Sequence, residues 1–240
     1  MNRLQLFRLL RHHNWLATRR SPAFEQSIVA KVMMLLGGGV MTIYFIVLGT
    51  MFGVMASNMQ SPGFLLVLMP VFLLLDFLSR LVMQRTPAMA VKPYLLLPVP
   101  SRAIIETFLV TLLMSGFNWL WLGFFLPYTI IILAGGASWL SAMGILLSAM
   151  LLIMANSQVS LLIRTLASRS LLWWALPVVV YGAYFLPIII DKKGGMFDDM
   201  LDVLFEATEA WWFPLLCLSL LVVLLLVNRA LQMRFVFEEI

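Results

Sequence analysis

Six long runs of apolar residues divide the chain, and short polar, proline-containing or glycine-containing segments separate them. A bilayer core is about 30 Å thick, so a helix that crosses it needs roughly 20 apolar residues. The six runs cover residues 32–56, 64–83, 103–134, 139–163, 171–190 and 212–227. The pattern predicts an all-α integral membrane protein with six transmembrane helices, in which residues 1–240 form a single transmembrane domain.

Proline and glycine mark the ends of several predicted spans. Pro62 and Gly63 lie in the uncharged turn between the first and second runs, and Gly135 and Gly136 make the turn before the fourth run. The third run is unusually long. We expect Pro127 to kink or end its outer part, because proline removes a helical hydrogen bond.

Residues 1–22 have the pattern of an amphipathic helix that precedes the first span. Its leucines and Phe7 cover a broad arc, and polar residues that include Arg8 and His12 lie on the opposite side. We predict an interfacial helix in the cytoplasmic headgroup region. The alternative is an ordinary basic flank of the first span.

Residues 84–102 form the most distinctive segment between predicted spans. Four prolines exclude one long helix. Met89, Tyr94 and Leu95 are nevertheless too apolar for a solvated loop. We expect short pieces pressed against an apolar surface, which is either the membrane, a partner or the protein's own helices.

Residues 191–211 alternate acidic and apolar residues at helical spacing between the fifth and sixth runs. The pattern predicts an amphipathic or short re-entrant helix on the outer face. Its acids are Asp191, Asp198, Asp199, Asp202, Glu206 and Glu209. Solvation of these carboxylates is the simplest interpretation, and repulsion of anionic cargo or cation binding are the alternatives.

The distribution of basic residues predicts the orientation of the chain. Of its 16 Lys and Arg residues, only Lys192 and Lys193 fall in a segment that would face outside. Cytoplasmic loops of membrane proteins carry an excess of Lys and Arg, so both termini are predicted to be cytoplasmic.

Composition supports this interpretation. Hydrophobic residues make up 62% of the chain and charged residues 11%, against about 25% charged in soluble domains. Mean hydropathy is +1.00. The pI of about 9.7 would suggest nucleic acid binding in a soluble protein. Here the basic excess is explained by topology and anionic lipid, so the bilayer is the expected partner and nucleic acid is not.

The sequence carries little that indicates catalysis. Cys217 is the single cysteine, and the two histidines, His12 and His13, both lie in the predicted N-terminal helix. No phosphate-binding loop or metalloprotease motif occurs in the sequence. We therefore expect no catalytic residues, no bound cofactor and no metal site.

Asp76 and Arg80 are the notable ionisable residues inside a predicted span. They stand four residues apart, so they lie on one face of a helix and are predicted to form an intramembrane ion pair. A proton or ion site at Asp76 is the alternative. Arg102 and Glu106 repeat this spacing at the start of the third span.

Other polar and small residues inside the spans predict helix packing. Asn118, Asn156 and Gln158 are of the type that joins transmembrane helices by hydrogen bonds. The run Gly37-Gly38-Gly39 permits close helix contact or local bending.

The order of these parts resembles the transmembrane subunit of type-2 ABC exporters, whose members export drugs, polysaccharides or lipids. The sequence LLLPVPSR at residues 95–102 looks like that family's entrance to a coupling helix after the second span. A closer likeness is to a bacterial family of unknown function grouped with these permeases. The matching stretches are residues 15–31, 80–87, 92–98 and 117–118, within about the first 130 residues.

The resemblance implies a permease subunit in the bacterial cytoplasmic (inner) membrane. Its partners would be separate cytoplasmic ABC ATPase subunits and a second copy or a similar permease. Members of the closer family are about twice this length, so this chain is expected to be a half-size form or part of a longer design. The residues implied in ATPase coupling are Arg8, His12, Met89, Lys92, Tyr94, Leu95 and Arg102.

Two other functions fit the same sequence. A secondary carrier would use Asp76 for a coupled ion and need no ATPase. A scaffold or assembly protein would bind partners through the same loops without transport. The residues themselves indicate no cargo.

Overall fold

The computed structural model describes residues 5, 8–9, 12–13, 16, 28–83, 100–190, 199–203, 205–206 and 210–238. These parts of the chain contain helices and connecting turns and no strand. Helix α1 covers Ile28–Asn58, α2 Phe64–Val67, α3 Met69–Met83, α4 Ser101–Leu113 and α5 Gly116–Leu120. Helix α6 covers Leu122–Ala134, α7 Trp139–Ala167, a 3₁₀ helix Leu171–Trp174, α8 Ala175–Ile190 and α9 Phe213–Glu238.

Four of these helical stretches are long and apolar enough to cross a membrane. They are Leu36–Asn58, Ser101–Leu120, Trp139–Ala167 and Phe213–Arg234. The stretches Leu122–Ala134 and Leu171–Tyr184 are apolar but shorter. The fold is therefore all-helical with four candidate membrane-spanning helices, as expected of a membrane protein, and the arrangement of six spans stays a prediction.

The predicted N-terminal and outer helices fall largely outside the described residues. Of the described positions in them, 5, 8–9, 12–13, 16, 199–203 and 205–206 are helical, and 210–211 are not. Their location at a membrane surface stays a prediction.

The third apolar run is interrupted before Pro127 is reached. Pro127 lies inside α6 and does not end it. The break falls at Met114 and Ser115, where Ser115 has extended backbone with ψ 138° and its side chain accepts from the backbone N–H of Phe117. A new helix begins there because serine at this position satisfies an amide that has no helical partner.

Helix α7 lies at the centre of the bundle and contacts α3, α4, α6 and α9. Its small residues Ala142 and Ala149 are fully buried beside Ile145 and Ile153. Against it lies a cluster of aromatic rings: Phe45, Phe52, Phe72, Trp121, Phe124 and Phe125. Such van der Waals packing drives helix association in lipid, where the tails are as apolar as leucine.

Two glycines allow α1 to lie directly against α6. A Cβ atom on Gly49 would overlap the carbonyl oxygen of Phe124, and one on Gly53 would lie 2.8 Å from Cβ of Ile131. Gly49 and Gly53 are four residues apart, as in small-residue contacts between membrane helices. The run Gly37–Gly39 was predicted to permit close helix contact or local bending, and a Cβ on any of these three glycines meets nothing within 4 Å among the described residues.

The outer surface of the bundle is strongly apolar. Val40 in α1, Leu140 in α7 and Val178 in α8 are 65%, 77% and 71% exposed. Further exposed apolar side chains lie around α1 and along α9. Together they form a larger apolar surface than a soluble protein usually exposes to water. Lipid tails are the natural solvent for such a surface.

Candidate functional site

The chemistry of the bundle is concentrated around one ion pair on α3. Nε of Arg80 lies 2.6 Å from Oδ2 of Asp76, one helical turn away. Both side chains are completely buried. The two residues that the spacing predicted to pair are thus in contact in the interior of the bundle.

The carboxylate of Asp76 has a partner on each oxygen from elsewhere in the fold. Oδ1 accepts from the indole Nε1 of Trp121 at 2.8 Å, and Oδ2 also accepts from Nδ2 of Asn156 at 2.8 Å. Three donors therefore surround a charge that has no access to solvent. Hydrogen bonds to an ionised group are stronger than neutral ones and offset part of the cost of its burial.

The guanidinium of Arg80 has two hydrogen-bond partners among the described residues, and the carboxylate has three. Its Nη2 donates to Oδ1 of Asn118 at 2.6 Å, and its Cζ lies 5.2 Å from the centre of the Phe117 ring. This distance is within the range of a cation–π contact. Nη1 is buried and has no hydrogen-bond partner among the described residues.

Asn118 connects this ion pair to the break in the third apolar run. Its Nδ2 donates to the carbonyl oxygens of Leu113 at 2.8 Å and Leu112 at 3.3 Å. A helix end leaves such carbonyls without intrahelical partners. One side chain thus caps α4 and accepts from Arg80 at the same time.

Asn156 extends the same set of contacts to α8. Its Nδ2 also donates to the carbonyl of Leu73 at 2.9 Å, and its Oδ1 accepts from the Tyr181 hydroxyl at 2.5 Å. The Tyr181 ring lies 5.1 Å from that of Phe77. The Asp76 network consists of the side chains of Asp76, Arg80, Asn118, Trp121, Asn156 and Tyr181, and it joins α3, α5, α7 and α8.

Further polar contacts tie the helices together at the end of the bundle near Arg80. Nη2 of Arg164 donates to the carbonyl of Arg80 at 2.5 Å. Glu106 Oε1 lies 2.6 Å from Nη2 of Arg229, and Gln232 donates to the Thr165 hydroxyl at 2.9 Å. The ends of α3, α4, α7 and α9 therefore meet here.

The predicted coupling residues have different outcomes. Arg102 is exposed in the first turn of α4, and Arg8 and His12 are exposed at helical positions. Met89, Lys92, Tyr94 and Leu95 lie outside the described residues. A site built from these seven residues therefore stays a prediction.

Of the three predicted helix-joining amides, two belong to the Asp76 network. The third, Gln158, accepts through Oε1 from Nδ2 of Asn228 at 3.1 Å, between α7 and α9. Sequence reasoning missed Trp121 and Tyr181. A buried indole or phenol has a polar group that needs a partner, but its position in an apolar run does not indicate which one.

The described residues offer no site for a metal ion, since no group of three or more His, Cys, Asp or Glu side chains comes together among them. A cleft of about 370 Å³ lies at the opposite end of the bundle, where the turn after α1 meets the turn after α6. Its lining residues are uncharged: Ala56, Ser57, Gln60, Pro62, Ile132, Gly135, Gly136 and Ala137. The buried charges lie elsewhere, so the Asp76 network is the candidate functional site.

Comparison with known proteins gives a family without an assigned activity. No curated protein and no solved structure matches the chain. Residues 14–240 match the family described as "Family of unknown function (DUF5687)". Because the match covers almost the whole sequence, the chain belongs to this family.

Proposed function

We propose that this chain is the transmembrane permease subunit of an ATP-driven exporter, powered by separate cytoplasmic ATPase subunits. Two copies, or one copy and a similar permease, form the path through a bacterial inner membrane. Each copy contributes six spans and keeps both termini in the cytoplasm. The chain carries no ATPase site of its own, and residues 84–102 contact the ATPase.

One observation carries the proposal: the Asp76 network joins the helices on both sides of the proposed coupling segment. Helix α3 ends at Met83, and the chain returns at Ser101 as α4. Arg80 near the end of α3 is bonded to Asn118, which in turn caps the far end of α4. A displacement of residues 84–99 would therefore act on two helices that already share hydrogen bonds.

The network also gives a route from this segment into the rest of the bundle. Asn156 connects Asp76 to the central helix α7, and Tyr181 connects Asn156 to α8. Buried charged contacts of this kind hold elements in defined positions, because any misplacement leaves a charge without a partner. Movement at one end would thus be transmitted as rigid displacement of helices.

Charge at this end of the bundle supports the orientation. The described arginines near it are Arg80, Arg102, Arg164, Arg169, Arg229 and Arg234. Lys and Arg collect on the cytoplasmic side of membrane proteins. The end that carries Arg102 is accordingly the one that we assign to the cytoplasm and to the ATPase.

The geometry favours this role over an ion-coupled carrier. Asp76 is fully buried and both of its oxygens are engaged by donors. A coupled cation would have to displace Arg80, Trp121 or Asn156 to reach the carboxylate. The arrangement is suited to holding helices together and poorly suited to reversible ion binding.

A triple substitution tests whether residues 92–95 contact the ATPase. Lys92, Tyr94 and Leu95 are replaced together by serine in the tagged chain, which is purified in mild detergent from its native membrane. We expect the ATPase that copurifies with the unchanged chain to be absent from this variant, because the residues proposed to bind it have been replaced. A matched variant with Asp199 and Asp202 replaced by serine, on the opposite side in the proposed topology, should retain the partner.

Retention of the ATPase by the triple serine variant would show that residues 92–95 are not the coupling contact. Loss of the partner from both variants would point to general destabilisation, and would leave the coupling assignment without support. Monodispersity in size-exclusion chromatography is measured for each variant to separate these outcomes.

A further inference from the structure

The interruption between α4 and α5 divides the third apolar run into two halves, α4 on one side and α5 with α6 on the other. Helix α4 ends at Leu113, Met114 follows, and Ser115 is extended before α5 begins at Gly116. The regular ladder of backbone hydrogen bonds stops at this point. A second interruption at Trp121 is slight, because Trp121 keeps helical φ and ψ of −63° and −22°.

Both halves contact α7, but each also packs against a helix that the other does not share. On α4, Ile105 and Leu109 form a buried cluster with Leu161 of α7, and Leu225 and Met233 of α9 pack against it. On the other side of the break, α6 lies along α1 at the close contacts of Gly49 and Gly53. Each half therefore has its own neighbour, and the break lies between them.

The side chain of Asn118 spans the break. Asn118 on α5 donates to the carbonyls of Leu113 and Leu112 at the end of α4. Backbone carbonyls within a bilayer must find an internal donor, because no water is present to supply one. Only the carbonyl oxygen of the Asn118 amide remains to accept, and Arg80 Nη2 occupies it at 2.6 Å.

Arg80 has an additional donor. Its Nη1 is buried without a partner among the described residues, while Nε and Nη2 are bound to Asp76 and Asn118. Since Nη1 has no partner among the described residues, it gives the guanidinium a second way to bind an acceptor when the helices shift. The contact between Arg80 and Asn118 is thus exchangeable without removing the charge of Arg80 from Asp76.

We propose that Met114 and Ser115 form a hinge, and that the Arg80–Asn118 hydrogen bond is the latch that holds it in the observed conformation. When the latch opens, α4 moves with α9, and α6 stays with α1. This inference concerns the bundle itself and stands whether or not an ATPase drives the movement.

Pulsed electron spin resonance distances test the latch. Spin labels are placed on cysteines at Val110 of α4 and Ile130 of α6, which are 48% and 55% exposed, in a Cys217→Ala background reconstituted in nanodiscs. The unchanged latch should give one narrow distance distribution. Asn118→Leu removes both ends of the latch at similar volume, and it should add a second population or broaden the distribution.

Thr129→Val is the matched control. It removes a buried hydroxyl whose hydrogen bond among the described residues lies within its own helix, to the carbonyl of Phe125, so the distribution should stay narrow. Arg80→Lys is measured in parallel, because lysine keeps a cation for Asp76 but lacks the planar fork that reaches Asn118. It should broaden the distribution in the same direction as Asn118→Leu.

The proposal is overturned by any of three results. Folded, monodisperse Asn118→Leu with the unchanged distribution would show that Asn118 is no latch. If that variant does not fold, an unchanged distribution in Arg80→Lys would have the same meaning. Equal broadening in Thr129→Val would show that loss of any buried polar group loosens the bundle.

Discussion

The indole Nε1 of Trp121 donates to Oδ1 of Asp76 across 45 residues of chain, at 2.8 Å. This contact places the start of α6 against the middle of α3. It also completes the coordination of a carboxylate that is fully buried. The stability of the bundle should therefore depend on single atoms in this network, and several substitutions test that dependence directly.

Removal of one member of the ion pair should be strongly destabilising. Asp76→Asn leaves the Arg80 cation buried without a counter-charge, and breaking a buried pair in this way costs about 3–5 kcal/mol. Thermal unfolding of the purified protein in detergent measures the loss. Asp76→Leu combined with Arg80→Met should recover much of it, because no unpaired charge remains.

Glu106→Gln is the control for the ion-pair prediction. Glu106 and Arg229 also lie 2.6 Å apart, but their side chains are 24% and 42% exposed. Partly exposed pairs contribute little to stability. If Glu106→Gln lowered the stability of the protein as much as Asp76→Asn, the special role of the buried pair would be contradicted.

Loss of the Trp121 donor should cost less than loss of the charge. Trp121→Phe keeps a ring in the aromatic cluster but leaves Asp76 Oδ1 without its donor, which costs about 1–3 kcal/mol. Trp119→Phe is matched to it, because Trp119 is 47% exposed on the neighbouring α5. We expect Trp121→Phe to lower the unfolding temperature and Trp119→Phe to leave it unchanged. Equal decreases in both variants would contradict the role of the Trp121 hydrogen bond.

The close contact of α1 and α6 gives a prediction with opposite signs at two glycines. Gly49→Ala forces a methyl group into the carbonyl of Phe124 and should destabilise the fold. Gly38→Ala meets no neighbour within 4 Å and should be neutral or stabilising, because alanine favours a helix over glycine by about 1 kcal/mol. Thermal unfolding of both variants is followed by circular dichroism. A similar change in unfolding temperature at both positions would contradict the prediction.

The Tyr181 hydroxyl should stabilise the attachment of α8. Tyr181→Phe removes its bond to Asn156 Oδ1 and should lower stability by about 0.5–1.5 kcal/mol. Tyr44→Phe, at a tyrosine that is 57% exposed on α1, is the control. Hydrogen exchange of the α8 backbone provides the readout, and it should increase in Tyr181→Phe alone.

The helical class and the ion pair were accessible from sequence for local reasons. Apolar runs report helices that face lipid, and a spacing of four residues puts Asp76 and Arg80 on one face whatever the tertiary fold. The contacts of Trp121 and Tyr181 depend on how distant helices meet. No periodicity within one run carries that information.

The continuity of the third apolar run was harder to predict. The run at residues 103–134 is almost uniformly apolar, so the local preference of Ser115 for a helix start was hidden within it. Pro127 was the residue in this run that most clearly predicted a helix end, yet it lies inside α6. Among the described residues, four helical stretches are long and apolar enough to cross a membrane, and the arrangement of six spans stays a prediction.

The most direct measurement is identification of what accompanies the unchanged chain when it is purified from its native membrane in mild detergent. The proposed function predicts a stoichiometric partner that carries the nucleotide-binding motifs of an ABC ATPase. A homogeneous preparation without any ATPase, under conditions that preserve known exporter complexes, would contradict it.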